Sequence, residues 1–549
     1  MKKFLLYFLL VLFSLPSISQ ENSWFFLRAK NTFFKPEFKK IKGKLIYTGN
    51  DIKLKSVLDK YSISEFKKTF RNARSENLKK TFFVVSDKEK LMEDLLKTTS
   101  HLFEFAEKIE EDDKKIFEPN DYGLTSTIGE NTGLQINLDY MDFIEAPKAW
   151  YYTTGSKDMI VGISDASVDT TNTDFIGKTT VIRKSSLSKG HGSGVASIAA
   201  GQGDNGYGLP GVCYDCSIYA TNYGKFIKFE QLLELSRAGV RVINCSWVNS
   251  KYFETAQAVI DEMFENGTII VAAAGNDNWK STKGEKINYP ASYKHVISVA
   301  AVMHRYETVN ENILKSKKGS PYAANIKNYV GRTIGFKDKD TLKGHHIWPV
   351  STTTLNSEVD ILAPSVDLFR FSKFVLTGEE LYTMEASSST APFVTGTIGL
   401  MWSLNPCLPI DELETIIKLS ANYIGDIEAN KPYAGHYGAG TLNAGEAVKM
   451  VYDLYSENET VIIEDQKFSR WDFKLTSLSN EVIIQNQSFT EDATLELTAK
   501  NRIVIGKNTI LKPNAKGKII LKIDPTLEKQ CELQLREGFP NNKYYQPSK

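Results

Sequence analysis

After its first fifteen residues, the 549-residue chain has no apolar run long enough to cross a bilayer, because a spanning helix needs about 20 such residues. It also lacks an excess of charge, since 67 basic and 66 acidic residues leave a formal net charge of +1. There is therefore no general basic field for nucleic acid and no acidic tail. These absences predict no nucleic-acid partner and no membrane span once any leader is removed.

Cysteine is scarce. The five cysteines are Cys213, Cys216, Cys245, Cys407 and Cys531. An odd count leaves at least one thiol unpaired unless it pairs between chains. Cys213 and Cys216 have the spacing of a zinc-ligand pair, but structural zinc sites need four ligands and a second pair is missing. Disulfides and free thiols both remain open.

The N-terminus reads "MKKFLLYFLLVLFSLPSISQ". Two lysines precede an apolar run from Phe4 to Leu15, and the small residues Ser17 and Ser19 follow it. This pattern predicts a secretory signal peptide over residues 1–19. No cysteine follows the run, which argues against a lipid anchor. We expect a soluble, exported protein, extracellular or periplasmic.

Residues 20–125 are rich in Lys, Phe and Glu and predict a small α+β domain. A short strand is expected over Phe82–Val85. An amphipathic helix is expected to follow it, because Leu91, Leu95, Leu96, Leu102, Phe103 and Ala106 recur at helical spacing. The charge run "EEDDKK" (110–115) is typical of a solvated boundary.

Residues 126–455 have a different texture. Short Val- and Ile-rich runs such as "MIVGISD", "RVINCSW" and "TIIVAAAGN" alternate with helical patterns. Runs without period-two alternation suit strands buried on both faces, so we predict an α/β fold with a mostly parallel sheet and helices on both faces. Residues 456–549 contain short alternating runs with frequent turns, which predict a small all-β module.

Three polar residues stand where a site can form in such a sheet. Asp165 ends an apolar strand, His191 precedes a small-residue helix, and Asn276 follows Gly275 at a strand end. Each has an ordinary structural interpretation as well: a capping Asp, a structural His and a turn Asn. None of the three carries a function alone.

The stretch "EASSSTAPFVTG" (385–396) adds three consecutive serines. Proline is tolerated in a helix only in its first turn, so a helix containing Pro392 should begin at about Ser388 or Ser389. A hydroxyl there lies beside free backbone N–H groups that favour developing negative charge. The position of the helix start therefore favours some of the three serines as the nucleophile but does not identify one of them.

The four segments in their chain order, together with "VDILAPS" and "GAGTLNAGEAV", resemble the subtilisin-like serine peptidases over roughly 135–455. That family's serine motif reads G-T-S-M-A-x-P, and "ASSSTAP" aligns with Ser388 as the nucleophile. The resemblance implies that His191 is the general base and that Asp165 orients it. It also implies that Asn276 and the Ser388 backbone N–H bind the oxyanion.

By the same resemblance, two segments wall the substrate cleft: Ser246, Trp247 and Val248, and Ala273, Ala274 and Gly275. The first should pair with extended substrate backbone. The family's Ser-Leu-Gly reads Ser246-Trp247-Val248 here, so the edge of the pocket is bulkier, and we expect the Trp247 side chain to point into the cleft. Ala386 and Gly194 also depart from the family pattern, but no catalytic atom is lost.

The resemblance further implies that residues 20–125 are a propeptide, which acts as inhibitor and folding aid; an independent binding domain is the alternative. The chemistry needs no cofactor, and a structural calcium ion is implied near Asp174 and the Asp204–Asn205 loop. The predicted function is a secreted serine endopeptidase acting on proteins or peptides. A catalytically silent binding protein and a surface adhesin led by the C-terminal module stay as alternatives.

Overall fold

The structure is a computed structural model. It describes residues 22–70, 75–128, 132–187, 189–282, 284–341, 346–351, 353–371, 381–384 and 386–540. The predicted signal peptide lies outside these residues. The chain divides into two compact units, one ending at Lys114 and one beginning at Lys115, whereas the sequence analysis placed this boundary near residue 125.

The first unit is an α+β layer. Its elements are β1 (Ser23–Ala29), β2 (Phe38–Ile41), β3 (Lys44–Tyr47), α1 (Ile52–Leu58), β4 (Ile63–Lys68), α2 (Glu76–Lys79), β5 (Thr81–Ser86), α3 (Lys90–Thr98) and β6 (Phe103–Lys108). Four strands form an antiparallel sheet in the order β4-β5-β1-β6. The buried faces of α1 and α3 pack in one apolar core with the inward residues of this sheet.

The helix α3 ends at Thr98, so the prediction that it reaches Ala106 is wrong. The Thr99 backbone N–H and hydroxyl both bond to the Leu95 carbonyl and end the helix. Phe103 to Lys108 then extend as β6, antiparallel to β1. The helical spacing of the apolar residues Leu102, Phe103 and Ala106 concealed this strand in the sequence.

The second unit is built on a seven-stranded parallel sheet. Its first elements are α4 (Asp139–Phe143), α5 (Ala146–Tyr152), β7 (Ile160–Ser164), β8 (Thr179–Val181), α6 (Lys189–Ala200), β9 (Ser217–Thr221), α7 (Glu230–Arg237), β10 (Val242–Cys245), α8 (Glu254–Glu265), β11 (Ile269–Ala273), α9 (Trp279–Thr282) and β12 (Val296–Val302). The elements that follow are β13 (Ile313–Lys315), β14 (Pro321–Ala323), β15 (Gly331–Phe336), β16 (His346–Ser351), β17 (Ile361–Pro364), β18 (Leu368–Phe371), β19 (Leu381–Met384), α10 (Ala391–Leu404), α11 (Ile410–Leu419) and α12 (Ala444–Tyr455).

The strand order in this sheet is β17-β12-β11-β10-β7-β9-β8. Helices α6, α10 and α12 pack with one face of the sheet, while α7 and α8 pack with the other. The predicted α/β class with helices on both faces is confirmed. The chain order reverses beside β7, which is where side chains from neighbouring strand ends converge.

The C-terminal region is a parallel β-helix of three coils. Its strands are β20 (Thr460–Ile463), β21 (Lys467–Phe468), β22 (Asp472–Ser477), β23 (Glu481–Ile484), β24 (Ser488–Glu491), β25 (Thr494–Ala499), β26 (Ile503–Ile505), β27 (Ile510–Pro513) and β28 (Lys518–Ile523). They form three parallel sheets, β20-β23-β26, β21-β24-β27 and β22-β25-β28. The predicted all-β character is confirmed.

This β-helix shares its core with the peptidase-like part of the chain. Its inward residues belong to the same apolar cluster as α10, α11 and α12, and the Lys474 N–H donates to Thr415 Oγ1. A disulfide joins Cys407 to Cys531, and the Gln534 N–H donates to the Leu404 carbonyl. The compact unit that begins at Lys115 therefore includes the region predicted as a separate module.

The sequence left disulfides and free thiols open, and the structure contains both. Cys213 and Cys216 form a second disulfide, and Cys245 is free and buried. Burial raises the pKa of the Cys245 thiol. Across the described ranges, no helix combines the length and apolar character needed to cross a bilayer.

Candidate active site

Asp165 and His191 meet at the carboxyl edge of the sheet. Asp165 directly follows β7 and is fully buried, and its Oδ1 lies 2.6 Å from His191 Nδ1. The His191 side chain is 31% exposed. A buried carboxylate against one ring nitrogen fixes the orientation of the imidazole and leaves the other nitrogen for proton transfer.

Gly192 explains how the helix that carries His191 approaches Asp165 so closely. A Cβ atom at Gly192 would lie 2.3 Å from the carbonyl oxygen of Ala166, the residue after the aspartate. Only a glycine permits this contact between α6 and the turn that follows β7. Gly192 is thus needed for the close packing that brings His191 to Asp165.

The serine triplet forms a single 3₁₀ turn, Ser387–Ser389, and α10 begins at Ala391 with Pro392 in its first turn. The helix therefore starts two to three residues later than predicted. The Ser388 hydroxyl donates to the Ser246 carbonyl at 3.2 Å, and Ser246 Oγ donates to the Ser388 carbonyl at 2.8 Å. Ser388 is 8% exposed and Ser389 is fully buried. Ser388 and His191, both described, are not hydrogen-bonded to each other.

Asn276 is exposed and held by the turn that contains the serines. Its Oδ1 accepts hydrogen bonds from the Ser387 backbone N–H at 2.8 Å and from Ser387 Oγ at 2.9 Å. Because the amide oxygen is engaged, the Nδ2 group is the donor left for a ligand. Gly275 precedes Asn276 with φ +120°, and a Cβ there would meet Asn288 Nδ2 at 2.5 Å.

The two segments predicted to wall the cleft follow neighbouring strands. Ser246, Trp247 and Val248 follow β10, while Ala273 ends β11 and Ala274 and Gly275 come after it. Ala274 is fully buried, and Val248 is 39% exposed. The strand neighbours place both segments at the same edge of the sheet as Asp165.

The expectation that the Trp247 side chain points into the cleft is wrong. The indole is buried among Tyr223, Phe226 and Phe229 in the apolar cluster on the α7–α8 side. Its Nε1 donates to the Ser164 carbonyl at 3.0 Å. The aromatic pocket buries the apolar ring and the Ser164 carbonyl accepts the indole N–H, so this position stabilises the side chain more than exposure in the solvated cleft would. Only the backbone of Trp247 remains as a candidate for substrate contact.

Sequence reasoning missed Tyr223, whose hydroxyl donates to Asp165 Oδ1 at 3.2 Å. Burial and the nearby Asp165 carboxylate raise the pKa of Tyr223. Tyr223 lies two residues past the end of β9, the neighbour of β7. A search for polar residues beyond adjacent strand ends would have found it.

The residues named for calcium do come together. Asn205 Nδ2 donates to Asp174 Oδ1 at 3.1 Å, and the Leu209 N–H donates to its Oδ2 at 3.2 Å. The carboxylate is thus occupied by donors of the protein itself. Within the described residues, no three His, Cys, Asp or Glu side chains are placed to hold a metal ion. These residues do not fit a cation as they stand, and we assign none.

Comparison with known proteins agrees with this architecture. The model of the subtilase family (Peptidase_S8) matches residues 117–440. Subtilisin DY of Bacillus licheniformis is 24% identical over 301 residues, covering 53% of this chain and 90% of that protein. A thermophilic serine proteinase of Bacillus sp. (strain AK1) is 27% identical over 271 residues, covering 46% of this chain and 55% of that protein.

Among solved structures, the prenylagaramide maturation protease PagA aligns with a TM-score of 0.39 at 23% identity, covering 56% of this chain and 98% of that one. The family match spans more than half of the chain. The chain therefore belongs to the subtilase family, and it is a serine-type endopeptidase.

Proposed function

We propose that the protein is a secreted endopeptidase that cleaves peptide bonds through Asp165, His191 and Ser388. The observation that carries this proposal is the 2.6 Å contact between the buried Asp165 carboxylate and His191 Nδ1 at the sheet edge. Among the described residues, this pair stands at the position where an α/β sheet collects side chains for a site.

In the proposed reaction, Ser388 Oγ rotates away from the Ser246 carbonyl and attacks the substrate carbonyl carbon. His191 Nε2 takes the hydroxyl proton and passes it to the amine that leaves. The acyl-enzyme is then hydrolysed by a water that His191 deprotonates in the same way. Asn276 Nδ2 and the Ser388 N–H stabilise the oxyanion formed in each half of the reaction.

We further propose that the first unit is a propeptide, removed between the two units after folding. It ends at Lys114, inside the charged run predicted as a boundary. The apolar N-terminal leader and its small residues support export. The name of one relative, the minor extracellular protease Epr of Bacillus subtilis, supports it as well.

A fluorophosphonate probe tests the nucleophile directly, because it reacts only with an activated serine. We expect the processed protein to become labelled, Ser388→Ala to remain unlabelled, and Ser389→Ala to be labelled like the parent, since Ser389 is buried. Ser388→Ala should also accumulate as the longer precursor, seen by intact mass. A folded parent that takes no label would instead support a silent binding protein.

A further inference from the structure

The β-helix is closed at one end and open at the other. Its first coil packs against α11 and α12, whereas β26, β27 and β28 are the last strands of their three sheets. Within the described ranges, each of these edge strands presents backbone donors and acceptors with no neighbouring strand on its outer side, which is the usual template for strand addition.

The interior of the open end is uncovered. Register pairs Ile505 with Ile484, and Leu521 with Leu497, so the members of each pair face the same interior. In the second coil these residues are 0% and 1% exposed, but Ile505 and Leu521 in the third coil are 47% and 36% exposed. The end of the β-helix is therefore an apolar surface made of core-type residues.

Among the described residues, the segment that follows β28 does not continue into a fourth coil over this end. After Ile523 the Asp524 N–H bonds back to the Ala499 carbonyl, and the chain leaves the coil. Cys531 then pairs with Cys407, and the Arg536 N–H donates to the Tyr152 carbonyl. The segment after β28, which could have capped this end, is instead bonded to residues of the parallel-sheet part of the unit.

The third coil is also strongly basic. Residues 500–523 contain no Asp or Glu and seven basic residues: Lys500, Arg502, Lys507, Lys512, Lys516, Lys518 and Lys522. Some pair with acidic groups of the second coil, as Lys516 does with Asp492 at 3.4 Å. In the described part of the chain, Lys512 and Lys518 take part in no ion pair. Both are exposed on strands of the open edge.

The positive charge of the third coil distinguishes between two kinds of partner for the open end, a second copy of this chain and an acidic strand. Two copies of this end would bring like charges together, and lysines on an edge strand discourage such pairing. An acidic strand would find apolar contacts, unpaired backbone groups and opposite charge at once. We propose that the open end of the β-helix binds an acidic polypeptide segment, which adds as a strand to β28 with alternate apolar side chains facing the interior that Leu521 and Ile505 line.

The test uses the full chain, inactivated with a fluorophosphonate so that it cannot cleave the probe. The probe is a fluorescein-labelled peptide of six residues, the length of β28, with valine and glutamate alternating. Control peptides replace glutamate with lysine, or keep the composition and group the glutamates together. We expect saturable binding by fluorescence anisotropy for the alternating acidic peptide alone, weakened by added salt.

Lys512→Glu/Lys518→Glu should weaken this binding about tenfold or more, because the attractive cross-strand pair at Lys518 becomes repulsive and the charge of Lys512 on the neighbouring edge strand is reversed. The matched control is Lys317→Glu/Lys318→Glu, which reverses two exposed lysines in the turn between β13 and β14 and should bind like the parent. Leu521→Gln should weaken binding without any change in charge, which a purely electrostatic attraction would not show.

Three outcomes would overturn the proposal. One is equal binding of the grouped and alternating peptides, and another is no saturable binding at all. The third is binding of the chain to phosphatidylglycerol vesicles with none to the peptide, which would assign the end to an anionic surface. Because the assay does not depend on catalysis, its failure is distinct from failure of the proposed peptidase mechanism.

Discussion

At the scale of single residues, the amide of Asn276 is the group whose role is easiest to isolate. We expect Asn276→Ala to lower kcat by about 10²–10³ and leave KM nearly unchanged, because the donor acts on charge that develops only in the transition state. The magnitude is carried over from the loss known for one such donor of a subtilisin. Steady-state kinetics on a peptide substrate measure both constants, and a loss confined to KM would contradict the assignment.

Ser387 should act through Asn276. Its hydroxyl is one of two donors that hold Asn276 Oδ1, and one neutral hydrogen bond contributes about 0.5–1.5 kcal/mol. We therefore expect Ser387→Ala to lower kcat by roughly two- to tenfold, with little change in KM. Ser387→Thr, which keeps the hydroxyl, should restore kcat. Failure of threonine to restore it would mean that the loss comes from packing of the turn.

The sequence predicted that residues of the site lie close together, but it did not predict their side-chain conformations. Chain order and local motif were enough to predict that Asp165 and His191 come together. They could not predict that Ser388 bonds to the Ser246 carbonyl, that Ser387 fixes Asn276, or that Trp247 turns into the aromatic cluster. A rotamer is chosen by partners far away in sequence, and a motif does not contain them.

At the scale of elements, Glu412 connects α11 to α12 through Tyr455 and to β22 of the β-helix through Thr476. It is 1% exposed, and Tyr455 Oη donates to its Oε2 at 3.1 Å. Burial raises the pKa of Glu412 to about 7. Since the unfolded chain ionises this group near its ordinary pKa of about 4.3, ionisation in the folded state costs stability progressively as the pH rises from about 4 to 7.

We expect Glu412→Gln to gain stability relative to the parent as the pH rises from 5 to 8, by on the order of 2–3 kcal/mol. Urea unfolding at both pH values measures the difference. The control is Glu265→Gln, which removes an exposed carboxylate at the end of α8. A constant offset for Glu412→Gln would show that the carboxyl is ionised throughout this range.

Element type was predictable where a short run of Val and Ile without period-two alternation stood between turns, as in β7, β10 and β11. It was not predictable over Phe103–Lys108, where apolar spacing also suited a helix and pairing with β1 decided the outcome. The β-helix was predicted only as short strands. Its coils begin at Thr460, Glu481 and Ile503, and each strand's partner lies 21 to 24 residues away, beyond the window in which alternation is read.

At the scale of the whole molecule, the Cys407–Cys531 disulfide closes the C-terminal segment onto the peptidase core. It spans 124 residues, and a cross-link over a loop this long is typically worth about 2–4 kcal/mol. We expect Cys407→Ser/Cys531→Ser to lose stability of this order. Limited proteolysis by an added protease should then cut near residues 524–540 while the parallel sheet stays intact.

The parent in reductant should match this variant, provided that the buried Cys213–Cys216 bridge stays closed, which mass shift after alkylation reports. If the segment near Arg536 is as resistant in the variant as in the parent, its hydrogen bonds and the packing of Phe539 hold it without the bridge. The rings of Tyr151, Tyr152 and Tyr452 lie 5.2–6.0 Å from Phe539.

The same closing segment sets an order of events in time. Arg536 Nε donates to the Tyr151 carbonyl across 385 residues of chain. A ribosome adds about 5–20 residues each second, so one of the first helices made in this unit waits roughly 20–80 s for its last partners. Through that interval the growing chain holds Asp165, His191 and Ser388 in a core that still lacks its closing segment.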